Sequence, residues 1–165
     1  MSHIELCGYD NVTGRNLFML ELVGPDDVPS RVNLKAKYFG AFIAWDARSQ
    51  PANVIVSLLA PLIEAGCRYF VCWGPDCERV HDIADECDPF NGTNAVIMTT
   101  WHTDETLEDA LWFFLNNAFP DPAFEDDFHS SLAITIGSPS WASAVRTALL
   151  DPRAFSGRIL ATGDV

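Results

Sequence analysis

Apolar runs rich in aromatic and β-branched residues alternate with longer amphipathic segments from residue 38 onward. Four of the runs are apolar on both faces, as buried parallel strands are, and they cover residues 38–45, 68–73, 95–101 and 132–136. A fifth run, at residues 158–162, has the same character in weaker form. The alternation predicts a parallel sheet with helices packed against both of its faces.

Four amphipathic segments between the runs predict helices. The clearest lies at residues 107–118, where apolar residues recur at offsets of three and four positions. Another begins at Ser138, which is suited to cap a helix whose first turn contains Pro139. The remaining two cover residues 52–65 and 76–87.

The segment before residue 38 predicts an N-terminal β extension. Residues 16–23 and 32–37 read as an antiparallel pair or an edge addition, separated by a Gly-Pro-Asp-Asp turn. With right-handed crossovers, the whole pattern predicts an α/β three-layer sandwich, flavodoxin-like or Rossmann-like in shape, with a mostly parallel sheet of about five strands. We expect a single domain over residues 1–165, with 1–37 as the extension and 38–165 as the α/β core.

Residues 99–119, with the sequence TTWHTDETLEDALWFFLNNAF, resemble a family of small, uncharacterised bacterial proteins. The resemblance extends over most of the α/β portion, from Tyr38 onward. It implies a bacterial, cytosolic protein, and it supplies no catalytic residue that could be carried over to this chain.

Acidic residues outnumber basic ones by 23 to 10, so the formal net charge of the 165-residue chain is -13. Such a field repels phosphate backbones, so we expect no nucleic-acid partner. The excess lies within residues 76–127, which hold fourteen acids and one base, Arg79, whereas the other 113 residues hold nine of each. Solvated helix faces explain this distribution in one way, and an acidic docking face that steers a basic partner explains it in another.

The chain carries no pattern that predicts export or membrane insertion. Residues 1–10 lack a basic stretch followed by an apolar run, and the longest apolar stretch, residues 54–63, is about half as long as a membrane span requires. The five cysteines are an odd number, which favours free thiols in a reducing compartment. We therefore expect a cytoplasmic protein with no membrane contact.

Three predicted strands end in tryptophan, and an aspartate follows each tryptophan within three residues. The carboxyl ends of adjacent parallel strands meet at one edge of a sheet, so these residues define a candidate ligand site. Asp46, His102 and Asp104 are the candidates for acid/base catalysis. The candidate ligand contacts are rings for stacking, an arginine for an anion and polar strand-end groups, namely Trp45, Arg48, Trp73, Asp76, Trp101 and Ser138.

The same pattern has a purely structural explanation. Aspartate at the end of a strand caps the following helix, and tryptophan at a sheet rim fills the space between sheet and helix. Capping alone does not explain why Arg48 and His102 lie on the same predicted edge. Because dinucleotide, phosphate-loop and nucleophile-elbow motifs are missing and the cysteines lack zinc-site spacing, we expect no cofactor and assign no metal ligands. The sequence leaves open whether His102 binds a divalent cation together with Asp46, Asp76 and Asp104.

Trp112 and Phe113 lie off the apolar stripe of their predicted helix. Either the acidic aromatic loop at residues 119–128 covers them, which we favour, or they form an apolar patch in acidic surroundings. Together with Glu105, Glu108 and Asp109 they make the candidate protein-binding surface.

Two hypotheses about function follow from these patterns. The preferred one is an acidic interaction or inhibitory module without catalysis, which binds a basic protein partner or forms a homodimer. The alternative is a small enzyme or nucleotide-type ligand binder whose small-molecule site lies at the carboxyl ends of the parallel strands. The sequence leans towards the non-enzymatic hypothesis and leaves both open.

Overall fold

The computed structural model describes residues 2–163, so the predicted domain limits at residues 1 and 165 lie outside the described residues. The strands in this range are β1 (Ile4–Asp10), β2 (Arg15–Leu22), β3 (Tyr38–Trp45), β4 (Cys67–Trp73), β5 (Met98–Trp101) and β6 (Phe128–Ile136). The helices are α1 (Ala52–Ala65), α2 (Cys77–Glu86), α3 (Leu107–Asn116), α4 (Pro139–Leu150) and α5 (Pro152–Thr162). Two short 3-10 helices cover Pro25–Asp27 and Pro122–Asp127.

The six strands form one mixed sheet in the order β1-β2-β6-β3-β4-β5. All neighbouring pairs from β2 to β5 are parallel, and only β1 and β2 pair in the antiparallel sense. The predicted α/β fold with a mostly parallel sheet is therefore confirmed.

Helices cover both faces of the sheet, as the alternating side chains of β3 make clear. Phe39, Ala41 and Ile43 belong to one core with α1 and α2, whereas Phe42 and Ala44 belong to a second core with α3, α4 and α5. Every core position of β3 is buried, which explains why its sequence is apolar without alternation. The longest of the described helices, α1, has 14 residues, and none of them is long and apolar enough to cross a membrane.

The N-terminal prediction is wrong in its pairing. The antiparallel partner of β2 is β1, and the amide of Gly14 donates to the carbonyl of Asp10 in the tight turn between them. Residues 32–37 form no strand, although Val32 and Leu34 are buried in the core. The turn before them becomes a 3-10 helix and not a hairpin, so β2 is free to pair in parallel with β6 inside the sheet.

The predicted strand at residues 158–162 is also wrong, because this segment is the end of α5. Asp151 caps the helix by accepting a hydrogen bond from the amide of Ala154, and Pro152 occupies the first turn. These two signals start a helix, and they outweigh the weak strand propensity of the residues that follow. The fifth parallel strand is β2.

The acidic aromatic loop at residues 119–128 packs at the amino ends of the strands. Its 3-10 helix buries Phe124, whose ring contacts the rings of Tyr38 and Phe90 at centroid distances of 5.0 and 5.2 Å. These aromatic contacts lead away from Trp112 and Phe113, which are half-buried against the core formed with α4 and α5. The contacts of Phe124 thus do not support the favoured cover of Trp112 and Phe113 by this loop, and the alternative, an exposed apolar patch, is not present at these two residues either.

Candidate functional site

The carboxyl ends of β3, β4 and β5 lie side by side and point in the same direction. Ala44 of β3 pairs with Trp73 of β4, and Cys72 of β4 pairs with Trp101 of β5. The chain leaves β4 for α2 on one face of the sheet and leaves β5 for α3 on the other face. A crevice opens where the connections of neighbouring parallel strands diverge in this way.

A pocket of about 390 Å³ occupies this crevice. The loop after β4 and the loop after β5 supply its walls, which consist of Trp73, Gly74, Pro75, Asp76, Cys77, Glu78, His102, Thr103, Asp104 and Glu105. Four of the predicted strand-end residues line it, namely Trp73, Asp76, His102 and Asp104, together with Glu105, which the sequence assigned to the protein-binding surface. The structure therefore brings together part of the predicted strand-end set.

The β4–α2 loop is held tightly against the end of β3. Gly74 has a φ of +113°, and a Cβ at this position would overlap the carbonyl oxygen of Trp45. The amide of Ala47 donates to the carbonyl of Pro75 at 3.0 Å, and Arg79 donates to the carbonyl of Ala47 at 2.8 Å. These contacts fix the wall of the pocket that carries Asp76.

Asp76 does not cap α2 with its side chain, contrary to the structural explanation of the strand-end aspartates. Its carboxylate accepts a hydrogen bond from Nε of Arg79 at 2.7 Å, and its backbone is left-handed with a φ of 66°. Asp104 is also left-handed, with a φ of 62°, and the cap of α3 is Thr106, which accepts from the amide of Asp109. Both aspartates remain exposed at the mouth of the pocket.

His102 is buried and lies between a carboxylate and a hydroxyl group. Its Nδ1 is 2.9 Å from Oε2 of Glu105, and its Nε2 is 3.0 Å from Oγ1 of Thr100. The ring also packs against Phe113 at a centroid distance of 4.7 Å. Burial raises the pKa of Tyr69, on the neighbouring strand β4, above its ordinary value, and Thr100 partly opposes that shift.

A carboxylate, an imidazole and a hydroxyl in series are the groups that a catalytic triad uses. Here Thr100 lies within β5 and does not line the pocket, so its hydroxyl is not presented to a ligand there. The series instead ties the end of β5 to the start of α3. Trp73 adds a second tie, because its indole nitrogen donates to the carbonyl of Glu105 at 2.9 Å.

The other predicted strand-end residues lie outside the pocket. Asp46 and Arg48 form an exposed two-contact ion pair, with distances of 2.9 and 2.6 Å, and the hydrogen bond from Arg48 lowers the pKa of Asp46. Trp45 is buried, whereas Trp101 is exposed on the α2 face. Ser138 caps α4 by accepting from the amide of Trp141. The proposed catalytic trio is thus split, since His102 and Asp104 share a pocket that Asp46 does not reach.

The pocket is acidic. Four carboxylate side chains line it, those of Asp76, Glu78, Asp104 and Glu105, and no lysine or arginine does. This charge disfavours a phosphate-bearing ligand and favours a cationic or neutral one. Within residues 2–163, no group of three or more His, Cys, Asp or Glu side chains has the arrangement that a metal ion needs.

Sequence reasoning missed five of the lining residues, namely Gly74, Pro75, Cys77, Glu78 and Thr103. The Gly-Pro pair directly after the tryptophan of β4 was the available signal, because such a pair marks a tight turn. Cys77 is buried and its Sγ lies 3.7 Å from the hydroxyl of Thr103. Deeper in the sheet, burial raises the pKa of Cys67 to about 12 and that of Cys72 further, which makes both thiols poor nucleophiles at neutral pH.

The candidate protein-binding acids lie at the start of α3. Glu108 is exposed on its first turn, Asp109 is half-buried there, and Glu105 precedes the helix and bonds to His102. The five-residue set predicted with Trp112 and Phe113 is therefore divided between an exposed acidic turn and a half-buried aromatic pair.

A family profile described as a domain of unknown function, DUF7684, matches residues 18–152. No curated protein and no solved structure matches the chain. The profile runs from within β2 to the end of α4 and includes the whole strand-end pocket. The expected relation to an uncharacterised family is confirmed, and the chain belongs to the DUF7684 family.

Proposed function

We propose that this protein is an acidic binding module that captures a basic protein partner. The observation that carries the proposal is the exposure of the acids within residues 76–127. Of the fourteen acids in that range, eleven are exposed and three are half-buried. The one base, Arg79, is already bonded to Asp76 and to the carbonyl of Ala47.

Acids elsewhere in the chain are more often neutralised by bases. Arg146 bonds to both Glu5 and Glu21, and Arg153 bonds to the buried Asp10. Within residues 76–127, by contrast, the lysine and arginine partners are Arg79 and Lys37, the latter bonded to Asp127. The local negative field is therefore uncompensated, and such a field accelerates association with a positively charged partner.

We expect charge reversal on α2 to slow capture of the partner. Asp82→Lys with Glu86→Lys changes two exposed acids of this helix, and the association rate constant should fall by about tenfold or more at low salt. The matched control is Asp26→Lys with Glu64→Lys, which makes the same change in net charge outside residues 76–127 and should have a much smaller effect. The partner is identified by affinity capture and mass spectrometry, and stopped-flow rates are then measured with the purified partner.

The salt dependence completes this test. A steered association slows steeply between about 0.02 and 0.5 M NaCl, because the Debye length shrinks below the distance over which the two proteins attract each other. A partner that is not basic, or a rate that both double variants lower equally, would count against the proposed docking face.

The strand-end pocket favours a second candidate function, the binding of a small ligand. Its position agrees with the rule that open parallel sheets bind ligands at the carboxyl edge. A likeness to the flavodoxin-like fold also favours this candidate. The five parallel strands lie in the order β2-β6-β3-β4-β5, which equals the flavodoxin-like order 2-1-3-4-5 when β6 takes the place of the first strand. Because the walls of the pocket are acidic, the ligand that we expect is an amine or a neutral compound and not a nucleotide.

A thermal-shift experiment tests the second candidate. A diamine such as putrescine at about 100 times its dissociation constant should stabilise the protein by about 2.7 kcal/mol, whereas ATP should leave the melting temperature unchanged. The double variant Asp76→Asn, Asp104→Asn removes two carboxylates from the pocket and should abolish the shift. Asparagine tolerates the left-handed backbone of both positions, so the substitution isolates the charge. Equal shifts in the variant and in the parent protein would exclude this pocket as the amine site.

A further inference from the structure

We propose that the free edge of β5 is the contact element of the docking face, and that it adds an extended, basic segment of the partner as a further strand. This inference rests on the proposed function, because it names the part of the acidic surface that makes the contact. Strand addition at a sheet edge supplies main-chain hydrogen bonds, and side chains on the two faces supply selectivity.

Among residues 2–163, β5 is the last strand of the sheet, and its one partner strand is β4. The amide of His102, directly after β5, donates to the carbonyl of Cys72 on the β4 side. Successive residues of a strand direct their backbone groups to opposite sides, so Met98 and Thr100 also face β4. Thr99 and Trp101 therefore direct their amides and carbonyls to the open side.

The stretch of unpaired backbone groups along this edge begins after Ile97. Ile97 is the preceding residue whose amide faces outward, and its amide already donates to the carboxylate of Asp88 at 3.0 Å. No described residue accepts a comparable hydrogen bond from the outward amides of Thr99 and Trp101. Two donors and two acceptors are thus available to an added strand, which is the number that about four residues of partner chain would use.

Apolar side chains flank this edge on both faces of the sheet. Trp101 is 45% exposed and Met98 is 36% exposed, although both belong to a strand. The ring of Trp101 is held in place by His81 of α2, at a centroid distance of 4.4 Å. Exposed apolar groups beside open backbone groups are the combination that strand addition uses.

The negative charge around β5 determines which kind of partner segment this edge can bind. α2 packs beside this strand, and Asp85 of α2 accepts a hydrogen bond from the hydroxyl of Thr99. Asp82 and Glu86 are exposed on the same helix. These acids repel a second copy of this acidic chain and attract lysine or arginine side chains, so the edge fits an extended segment in which basic and apolar residues alternate.

The opposite edge of the sheet, β1, lacks these properties. Its pairing with β2 is irregular between Leu6 and Gly8, and such irregularities disfavour the addition of a strand. Glu5 of β1 is bonded to Arg146, so the charge there is partly neutralised. Of the two edges of the sheet as described, β5 is the one at which an acidic surface and a regular open edge coincide.

A synthetic peptide of alternating lysine and valine, about ten residues long, tests the inference by isothermal titration and by amide hydrogen exchange. We expect binding at low salt together with slower exchange at Thr99 and Trp101. A second peptide of the same sequence carries an N-methyl group on every amide, which removes the donors along both edges of the extended peptide and preserves its charge. It should bind at least about tenfold more weakly, a loss that corresponds to about 1.4 kcal/mol.

Two variants at one position test the edge from the protein side. Thr99→Pro deletes the outward amide and leaves the hydrogen bonds between β5 and β4 in place, since proline is tolerated where an edge amide faces solvent. Thr99→Val is the matched control, because it also loses the hydroxyl bonded to Asp85 but keeps the amide. Peptide binding should fall by about tenfold in the proline variant and by less than about threefold in the valine variant. If the proline variant fails to fold, the difference in affinity between the N-methylated and the unmethylated peptide is the test of strand addition.

The outcomes separate the two proposals. Equal affinity for both peptides, with no protection of β5, overturns strand addition and leaves capture by acidic steering intact. Failure of the alternating peptide to bind at all at low salt overturns strand addition as well. If charge reversal on α2 also leaves partner capture unchanged, the proposed acidic docking face is overturned as well.

Discussion

Replacing Gly74 with alanine is expected to lower the free energy of unfolding by about 3–5 kcal/mol, a loss at the upper end of single substitutions. The residue has a φ of +113°, which side-chain-bearing residues rarely adopt, and a Cβ would overlap the carbonyl oxygen of Trp45. The backbone fixes the position of the Cβ, and the atom that it meets is a backbone oxygen, so no flexible side chain can move aside. Urea unfolding followed by tryptophan fluorescence measures the loss.

The same substitution should also disturb the strand-end pocket. To relieve the overlap, the β4–α2 loop has to move away from β3, which stretches the hydrogen bond between Ala47 and Pro75 and the one between Arg79 and Ala47. The wall that carries Asp76 then moves with the loop. A diamine that stabilises the parent protein should accordingly lose affinity for this variant.

Gly92→Ala is the matched control for this prediction. Gly92 also has a positive φ, of +82°, but no atom lies within 4 Å of the position that its Cβ would take. Its substitution therefore measures backbone strain alone, which is about 1–2 kcal/mol. Equal losses at Gly74 and Gly92 would mean that the close approach to Trp45 does not contribute, and the account of the loop would be wrong.

The elements with strong local signals could be predicted from the sequence. Residues 52–65 fold as α1 within the predicted limits, because Gly66 ends the helix in a left-handed conformation. The apolar run at residues 38–45 likewise predicts β3, because a strand that is buried on both faces is apolar at nearly every position. In both cases the local sequence and the tertiary environment demand the same conformation.

Strand pairing could not be predicted, because it depends on contacts far apart in the chain. β1 has a half-exposed pattern with Leu6 and Tyr9 facing solvent, so its composition gives a weak strand signal. β2 has the same apolar character whether it lies at an edge or beside β6. Only the packing of the whole sheet places it between β1 and β6.

The sequence predicted where on the sheet the candidate site lies, but it did not predict which individual side chains line the pocket. Adjacent parallel strands bring the loops after Trp73 and Trp101 to one edge, which the sequence pattern was sufficient to indicate. Which side chains remain free depends on local partners, and the ion pair between Asp46 and Arg48 removes both from the pocket. Such pairings are decided by rotamers and backbone turns that residue spacing alone does not specify.

The negative charge of Asp10 is the second feature whose loss should have a large effect. Asp10 is fully buried at the end of β1 and accepts hydrogen bonds from Nη2 of Arg153 at 2.7 Å and from the amide of Val12 at 3.0 Å. Nearby, Arg15 is 5% exposed, and burial lowers the pKa of its guanidinium while the charge of Asp10 opposes that shift. One buried carboxylate therefore compensates both the buried Arg15 and the partly exposed Arg153.

Asp10→Ala is expected to lower the free energy of unfolding by about 3 kcal/mol, since it leaves the partly buried Arg153 without its carboxylate and removes the charge that opposes the burial of Arg15. The guanidinium of Arg15 lies over the rings of Phe119 and Phe128, at 5.6 and 4.8 Å, and these rings replace only part of the lost interaction. Asp10→Asn keeps the shape and an acceptor for the amide of Val12, so its smaller loss isolates the contribution of charge. Urea unfolding at neutral pH measures both variants.

A double-mutant cycle with Arg153→Met distinguishes a charge effect from a packing effect. If the buried charge dominates, Asp10→Asn combined with Arg153→Met should be less destabilising than the sum of the two single substitutions, because the double variant leaves one charge fewer without a partner. Asp46→Asn serves as the external control, since its ion pair with Arg48 is exposed and should leave the unfolding midpoint unchanged. Strict additivity of the two single losses would instead assign the role of Asp10 to shape and hydrogen bonding in the turn between β1 and β2.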